Sequence, residues 1–294
     1  MTAWEDVVAY GDDPDAALRD LSQGLHSGEL ALLLGAGVSK PFGLPGWATL
    51  VRACLEDVGL PTDEVTPDAA FDVLKEAAGR FHDACNTDET YRAIIRRHLY
   101  DGHVREAATP LLTAVGALLM GSRRGRIRQV WTLNFDDLLE WHLRRHGFIS
   151  QIITETPCLM GDVDVEVFHP HGFIPFDQDV HRQSTEIVFD DKSYATRSVG
   201  VDQPWRTAVQ WALRSKVFVA LGLSWTDGLL KALFLESSQH IKERPTAFWF
   251  FGSNDTVPKG DCLRHNVVPI AFAHYDDYAP FLLRVCEGAM AHAT

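Results

Sequence analysis

The spacing of apolar residues changes repeatedly along the 294-residue chain, and each change marks an element. Ala17, Leu18, Leu21 and Leu25 recur at helical spacing, and Gly28 reads as the stop. "ELALLLGAG" (29–37) is instead a continuous apolar run against a glycine turn, the pattern of a buried strand. "WATLVRACLEDVGL" (47–60) returns to helical spacing. Positions 66–120 continue as mostly helical, with Phe71, Leu74, Phe81, Ile94, Ile95 and Leu99 on the apolar side. "IRQVWTLNFDD" (127–137) reads as a second strand ending in a polar turn, followed by a helix in "DLLEWHLRRHG" that stops at Gly147. Short strand-like runs follow at "SQIIT" (150–154), "DVEVFH" (164–169) and "TEIVFD" (185–190). Residues 203–238 read as helix, strand, glycine turn and helix, and "TAFWFFG" (246–252) and "VVPIAFA" (267–273) add two more strands.

Strands alternating with helices predict an α/β fold, a parallel sheet covered by helices on both faces. Ligands of such sheets sit beyond the carboxyl ends of the strands. Three of those ends carry polar clusters, at 35–39, 132–137 and 222–227, so the chemistry is expected where they meet. The whole chain, 1–294, is read as one domain. Its core is 30–53 and 126–275, with a helical insert at 54–125 and an N-terminal helical segment at 1–29. The short stretch beyond 275 leaves no room for a second domain, so any trigger is expected to be sensed by a separate protein.

Composition narrows the class. With 46% hydrophobic residues the chain can bury a large core, and its formal charge of −13 argues against a general nucleic-acid binder. One local exception is "SRRGRIRQ", where Arg123, Arg124, Arg126 and Arg128 form either a solvated turn or a grip for an acidic partner or a nucleic acid. The acidic start lacks the layout of a secretory signal, and the longest apolar stretch, "LLTAVGALLM" (111–120), is too short to span a bilayer. A cytoplasmic protein without a membrane partner is expected. Cys54, Cys85, Cys158, Cys262 and Cys286 are scattered and read as reduced core thiols. His142 and His146 lie one helical turn apart, and His169, His171 and His181 cluster loosely with Cys158. Neither group has the spacing of a four-ligand site, and no metal is expected.

The glycine turn fits neither of two standard phosphate motifs. A P-loop needs Gly-Lys-Ser/Thr, but Lys40 follows Ser39 and precedes Pro41. A dehydrogenase fingerprint needs a third glycine where Lys40 stands, and the acids at the right distance, Glu56 and Asp57, sit in a helical pattern. A phosphate cradle of another kind remains. Gly37 in it is expected to tolerate no side chain, because backbone must approach phosphate.

"GAGVS" (35–39), "GLPGW" (43–47), "TLNFDDLLE" (132–140), "HPHG" (169–172) and "GLSWTD" (222–227) together resemble, in order and spacing, the motif set of the sirtuin-like (silent information regulator) family. The resemblance spans roughly 30–275. It implies a Rossmann-like sheet that binds NAD+ in an inverted way and breaks its nicotinamide–ribose bond. By the same resemblance, Gly35, Ala36, Gly37 and Ser39 line the pyrophosphate and ribose, and Leu44, Pro45 and Trp47 wall the nicotinamide pocket. Asn134 positions the ribose or an attacking water, and Thr132, two residues before it, is a further cofactor-binding residue. Asp136 bonds the carboxamide, and His171 is the general base. Gly222 and Ser224 hold the adenosine half, with Asn254 as a weaker ribose contact. Each residue also has a plainer reading. Asp137 and Glu140 fit a capping box, Asn134 or Asp136 then merely shapes the helix entry, His171 is a turn histidine, and Ser224 bonds its own backbone.

Two departures from the family pattern matter. Deacylases of the family carry two Cys-x-x-Cys pairs after the His-Gly motif, whereas no cysteine occurs between Cys158 and Cys262. Trp47-Ala48 and Leu133 also stand where the deacylase pattern has Phe-Arg and Gln. The resemblance therefore implies the zinc-less branch, with no zinc module. The expected function is an NAD+ hydrolase yielding nicotinamide and ADP-ribose, a regulated bacterial anti-phage effector that forms a homo- or hetero-oligomer. The alternatives are an NAD-dependent deacylase or ADP-ribosyltransferase, and a non-catalytic NAD or ADP-ribose sensor.

Overall fold

The computed structural model describes residues 14–103, 109–120, 127–178, 181, 184, 186–196, 203–241, 243–252 and 256–291. The apolar runs become parallel strands: β1 (Leu30–Leu34), β2 (Gln129–Thr132), β3 (Ser150–Ile153), β4 (Val165–Phe168), β5 (Val217–Leu221), β6 (Ala247–Phe251) and β7 (Val267–Ala271). Among the described residues they form one sheet in the order β3-β4-β2-β1-β5-β6-β7, and every neighbouring pair is parallel. The order reverses between β1 and β5, which makes the carboxyl ends of these two strands the switch point where such sheets open a crevice. Pro269 cannot donate to a ladder, and it falls in the edge strand β7, where the missing N–H costs least.

Successive strand residues point to opposite faces, so each central strand feeds two cores. Leu30, Leu32, Leu34, Val130 and Val219 belong to one core, and Ala31, Leu33, Trp131, Phe218 and Ala220 to the other. Helices α1 (Pro14–Ser27), α2 (Trp47–Asp57), α3 (Phe71–Ala84), α4 (Asp88–Leu99), α5 (Pro110–Leu118) and α6 (Leu138–Arg145) bury their apolar sides in the first core. The second is closed by α8 (Pro204–Ser215), α9 (Gly228–Ser238) and α10 (Lys259–Arg264); the short α7 (Asp191–Tyr194) packs on α3. Within 54–125 the helices divide. α3 and α4 pack on α2, which itself crosses position 54, whereas α5 packs on α6 and on the last helix, α11 (Tyr278–Ala291).

Two elements differ from the sequence expectation. Residues 186–189 of "TEIVFD" form no strand. Ile187, Val188 and Phe189 are all buried, and the Val188 N–H donates to the His171 carbonyl at 2.7 Å instead of joining the ladder. The apolar run recorded packing, which periodicity alone does not separate from pairing. The sequence pattern predicts no element beyond β7, yet Phe281, Leu282, Val285, Cys286 and Ala289 bury a helical face of α11 against α1 and α5. Of the thiols, all free, Cys54, Cys262 and Cys286 are buried as expected, but Cys158 is exposed. No helix among the described residues is long and apolar enough to cross a membrane.

Candidate active site

The two glycine loops at the switch point are packed backbone to backbone. Gly35 N–H donates to the Leu221 carbonyl at 3.0 Å and Gly37 N–H to that of Gly222 at 2.9 Å. The N–H groups of Val38 and Ser39 close the turn on Gly35 and Ala36. At these four positions the donors are spent within and between the two loops, which changes the reason for the glycines. A Cβ on Gly37 would lie 2.6 Å from the Gly222 Cα, and one on Gly222 would lie 2.7 Å from the Val38 nitrogen. Tyr275, in the short 3-10 turn after β7, donates its hydroxyl to the Gly37 carbonyl at 2.6 Å and anchors the loop from the far edge of the sheet.

Against this loop the end of β2 delivers Asn134. Its amide donates to the Gly35 carbonyl at 3.0 Å and to Ser39 Oγ at 3.1 Å, which commits both N–H bonds and leaves Oδ1 as the acceptor facing any ligand hydroxyl. Ser39 is buried and passes its own hydrogen to Asp136 Oδ2 at 2.8 Å. Asp136 Oδ1 accepts the Leu138 N–H at 3.1 Å, so this carboxylate both shapes the entry to α6 and orients Ser39. Thr132 is buried and accepts the Asn134 N–H at 3.1 Å. The expected capping box does not form. Asp137 makes no cap bond and instead accepts from the Tyr100 hydroxyl at 3.1 Å, while Glu140 turns into the core.

Burial pushes the Asp136 carboxyl up to about 6; the Ser39 hydroxyl and the Leu138 N–H pull it down, and Glu140 and Asp137 add to the rise. A carboxyl whose pKa is raised by folding binds more protons in the native state than in the unfolded chain between about pH 4 and 6. Its contribution to stability is therefore present at low pH and is lost as pH rises through that window, by about 3 kcal/mol. Urea unfolding of wild type and Asp136→Asn at pH 4 and pH 7 checks the sign. The variant should gain relative to wild type at pH 7, and an equal difference at both pH values would refute it.

β4 pairs with β2 so that Phe168 lies opposite Trp131. Asn134 and His171 each stand three residues beyond that pair, at the carboxyl ends of adjacent strands. His171 is half-buried, 6.1 Å edge-on from the Tyr194 ring. Tyr194 donates to Asp227 Oδ1 at 2.6 Å, and the same oxygen caps α9 through the Leu230 N–H at 3.0 Å. Tyr194 also contacts Phe71, which lies 5.0 Å from Trp47, so an aromatic wall runs from the "GLPGW" segment to His171. A cavity of about 50 Å³ opens beside His171, Leu133 and Asp227 and runs under α8 and α9 to Trp131. It is large enough for water but not for a dinucleotide.

The other expected residues fall unevenly. Leu44 is buried, with Pro45 and Trp47 half-buried behind it at the start of α2. Ser224 is exposed and shares a hydrogen bond with Thr226 at 2.8 Å, as a turn serine does. Asn254 lies outside the described residues, as do Arg123, Arg124 and Arg126; Arg128 donates to the Val163 carbonyl of its own chain at 2.9 Å. His142 is buried, and burial lowers its pKa to about 4. Among the described residues no group of three or more His, Cys, Asp or Glu is placed to hold a metal. Sequence reasoning missed the work of His169 and Glu140; both lie inside quoted motifs, but nothing local shows that they meet.

The seven-stranded parallel sheet, with a glycine loop at its switch point and Asn134 and His171 at adjacent strand ends, is a Rossmann-like α/β arrangement. Residues 128–267, just under half of the chain, match the SIR2-like domain family. The chain is 26% identical over 217 residues to the NAD(+) hydrolase ThsA of Bacillus cereus (strain MSX-D12), covering 71% of this chain and 40% of that protein. To the NAD(+) hydrolase ThsA of Enterococcus faecium it is 23% identical over 241 residues, covering 79% and 44%. The chain thus spans less than half the length of these curated relatives. Its fold is also that of a SIR2 homolog solved as an NAD complex, with a TM-score of 0.51 at 16% identity over 94% of both chains.

Proposed function

We propose that this chain is an NAD+ hydrolase of the zinc-less branch, releasing nicotinamide and ADP-ribose, and that it serves as a regulated bacterial anti-phage effector switched on by a separate protein or by assembly. The observation that carries the reading is the Asn134 carboxamide, clamped by Gly35 and Ser39 with its oxygen unspent, one strand away from His171. The two ThsA relatives, which bear the name NAD(+) hydrolase, support the same activity.

Nicotinamide leaves as a neutral molecule from a cationic ring, so the protein must orient the ribose, tolerate a developing oxocarbenium and admit water. Asn134 Oδ1 accepts from a ribose hydroxyl and fixes the sugar. His171, as a neutral imidazole, takes the proton from the attacking water or from that hydroxyl. Asp136 works through Ser39. Trp47, Leu44 and Pro45 wall the nicotinamide, while Ala36, Gly222 and Ser224 lie toward the phosphates and adenosine.

The test is to incubate purified protein with NAD+, alone, with an acylated peptide and with the product of the neighbouring gene, and to follow products by mass spectrometry. Free nicotinamide and ADP-ribose in equal amounts are expected in at least one condition without peptide. ADP-ribose or an acyl group transferred to an acceptor would assign transfer instead, and bound but intact NAD+ in all conditions would assign a sensor.

A further inference from the structure

Behind Asn134 lies a buried acid–base pair that the roles above leave unused. His169, the first residue past β4, is 0% exposed, and Glu140, in the first turn of α6, is 1% exposed. His169 Nε2 lies 2.8 Å from Glu140 Oε1, and Nδ1 lies 3.2 Å from the main-chain carbonyl oxygen of Asn134. The Phe173 ring closes the imidazole edge-on at 4.7 Å.

The bonding pattern fixes the protons. A carbonyl oxygen only accepts, so Nδ1 must carry hydrogen and donate to Asn134. The contact with Glu140 also needs a hydrogen, because a bare ring nitrogen facing a carboxylate oxygen would repel it. With its N–H on Thr132 Oγ1 and its carbonyl on His169, Asn134 is pinned on both sides of its Cα, which aims the side chain at Gly35 and Ser39.

We propose that His169, held by Glu140, is a positioning residue for NAD+ cleavage, fixing the Asn134 main chain so that its carboxamide meets the ribose. This rests on the reading of Asn134 given above. A purely structural origin is weak on physical grounds. Buried ion pairs are often replaceable by apolar residues of similar volume without loss of stability, and Glu140 Oε2 is buried with no partner among the described residues. A pair kept for stability alone would leave turnover unchanged when so replaced.

Three proteins test this: Glu140→Gln, Glu140→Leu, and the apolar double variant Glu140→Leu/His169→Phe, which removes both members of the pair should Glu140→Leu fold poorly. Glutamine donates to a neutral Nε2 and preserves the Nδ1–H bond to Asn134, so kcat should stay within about threefold of wild type. The double variant should melt no lower than wild type, whereas Glu140→Leu, which leaves His169 Nε2 buried without its partner, should melt lower; both should lose at least about tenfold in kcat, with KM changed less than about threefold. Amide NMR supplies a readout independent of turnover. The Asn134 main-chain resonance should move in Glu140→Leu and stay in Glu140→Gln, and 15N-labelled histidine should report a protonated Nδ1 in wild type. An unmoved Asn134 resonance, wild-type kcat in the apolar variants, or equal losses in Glu140→Gln and Glu140→Leu would overturn the proposal. Failure of wild type to release nicotinamide would instead remove the hydrolase reading, leaving the NMR comparison to decide whether the pair positions Asn134.

Discussion

Nicotinamide release should fall about 100-fold or more in His171→Ala, while the dissociation constant for NAD+ stays within about tenfold. The substitution deletes a proton acceptor at the end of β4 but little of the surface the ligand covers, because the wall beside it is built by Tyr194, Phe71 and Trp47. A 100-fold loss corresponds to about 2.7 kcal/mol of transition-state stabilisation, within the range of one general base. Asn134→Ala should cost a comparable factor by a different route, since the ribose and water lose their near-attack geometry. It also removes the bonds to Gly35 and Ser39, so a melting curve must accompany the kinetics. The double variant should be little worse than either single one, because both act on one step. Steady-state release under the activating condition reads all three. Wild-type rates in both single variants would place the chemistry elsewhere and favour the sensor reading.

Gly222→Val should destabilise the protein by about 3 kcal/mol or more and abolish NAD+ binding with it. Gly222 has φ of 69°, a conformation that β-branched residues almost never adopt, and the added Cβ would meet the main chain at the Val38 nitrogen, 2.7 Å away. Gly37→Val should behave alike, with its Cβ 2.6 Å from the Gly222 Cα. Backbone on both sides leaves nothing flexible to give way. The sequence-based expectation that Gly37 keeps clear of side chains for a phosphate therefore acquires a different cause: two loops of the protein itself occupy the space. Gly79→Ala is the control, since it lies inside α3 with nothing within 4 Å of the new Cβ and should be neutral or slightly stabilising. Thermal melts of all three, with calorimetric NAD+ titration, provide the check. A Gly37→Val protein that melts with wild type but binds nothing would restore the phosphate explanation.

Much of this architecture was legible along the chain. Strands buried on both faces must be apolar throughout, so "ALLL", "VFVAL" and "AFWFF" announced the central sheet, and the polar residues directly after them marked the crevice. The motif spacing likewise pointed to Asn134 and His171, which the register of β2 and β4 brings to adjacent strand ends. Periodicity misled where burial came without pairing, as at 186–189, and it passed over α11, whose burial depends on α1, more than 200 residues earlier in the chain.

The roles of particular polar residues required the fold. Asp137 and Glu140 have the spacing of a capping box, but Tyr100 claims the first and His169 the second. Asp136 could cap a helix or serve the site, and with one oxygen on the Leu138 N–H and the other on Ser39 it does the first and orients a residue of the second. The glycines could approach a ligand or each other, and they approach each other. A local pattern records only which way a residue faces relative to its neighbours. Ser39 and Asp136 are 97 positions apart, and Glu140 and His169 are 29 apart. Which acceptor a buried donor finds is set by what the packed sheet brings within about 3 Å, because in a low-dielectric interior an unpaired polar group is costly to leave.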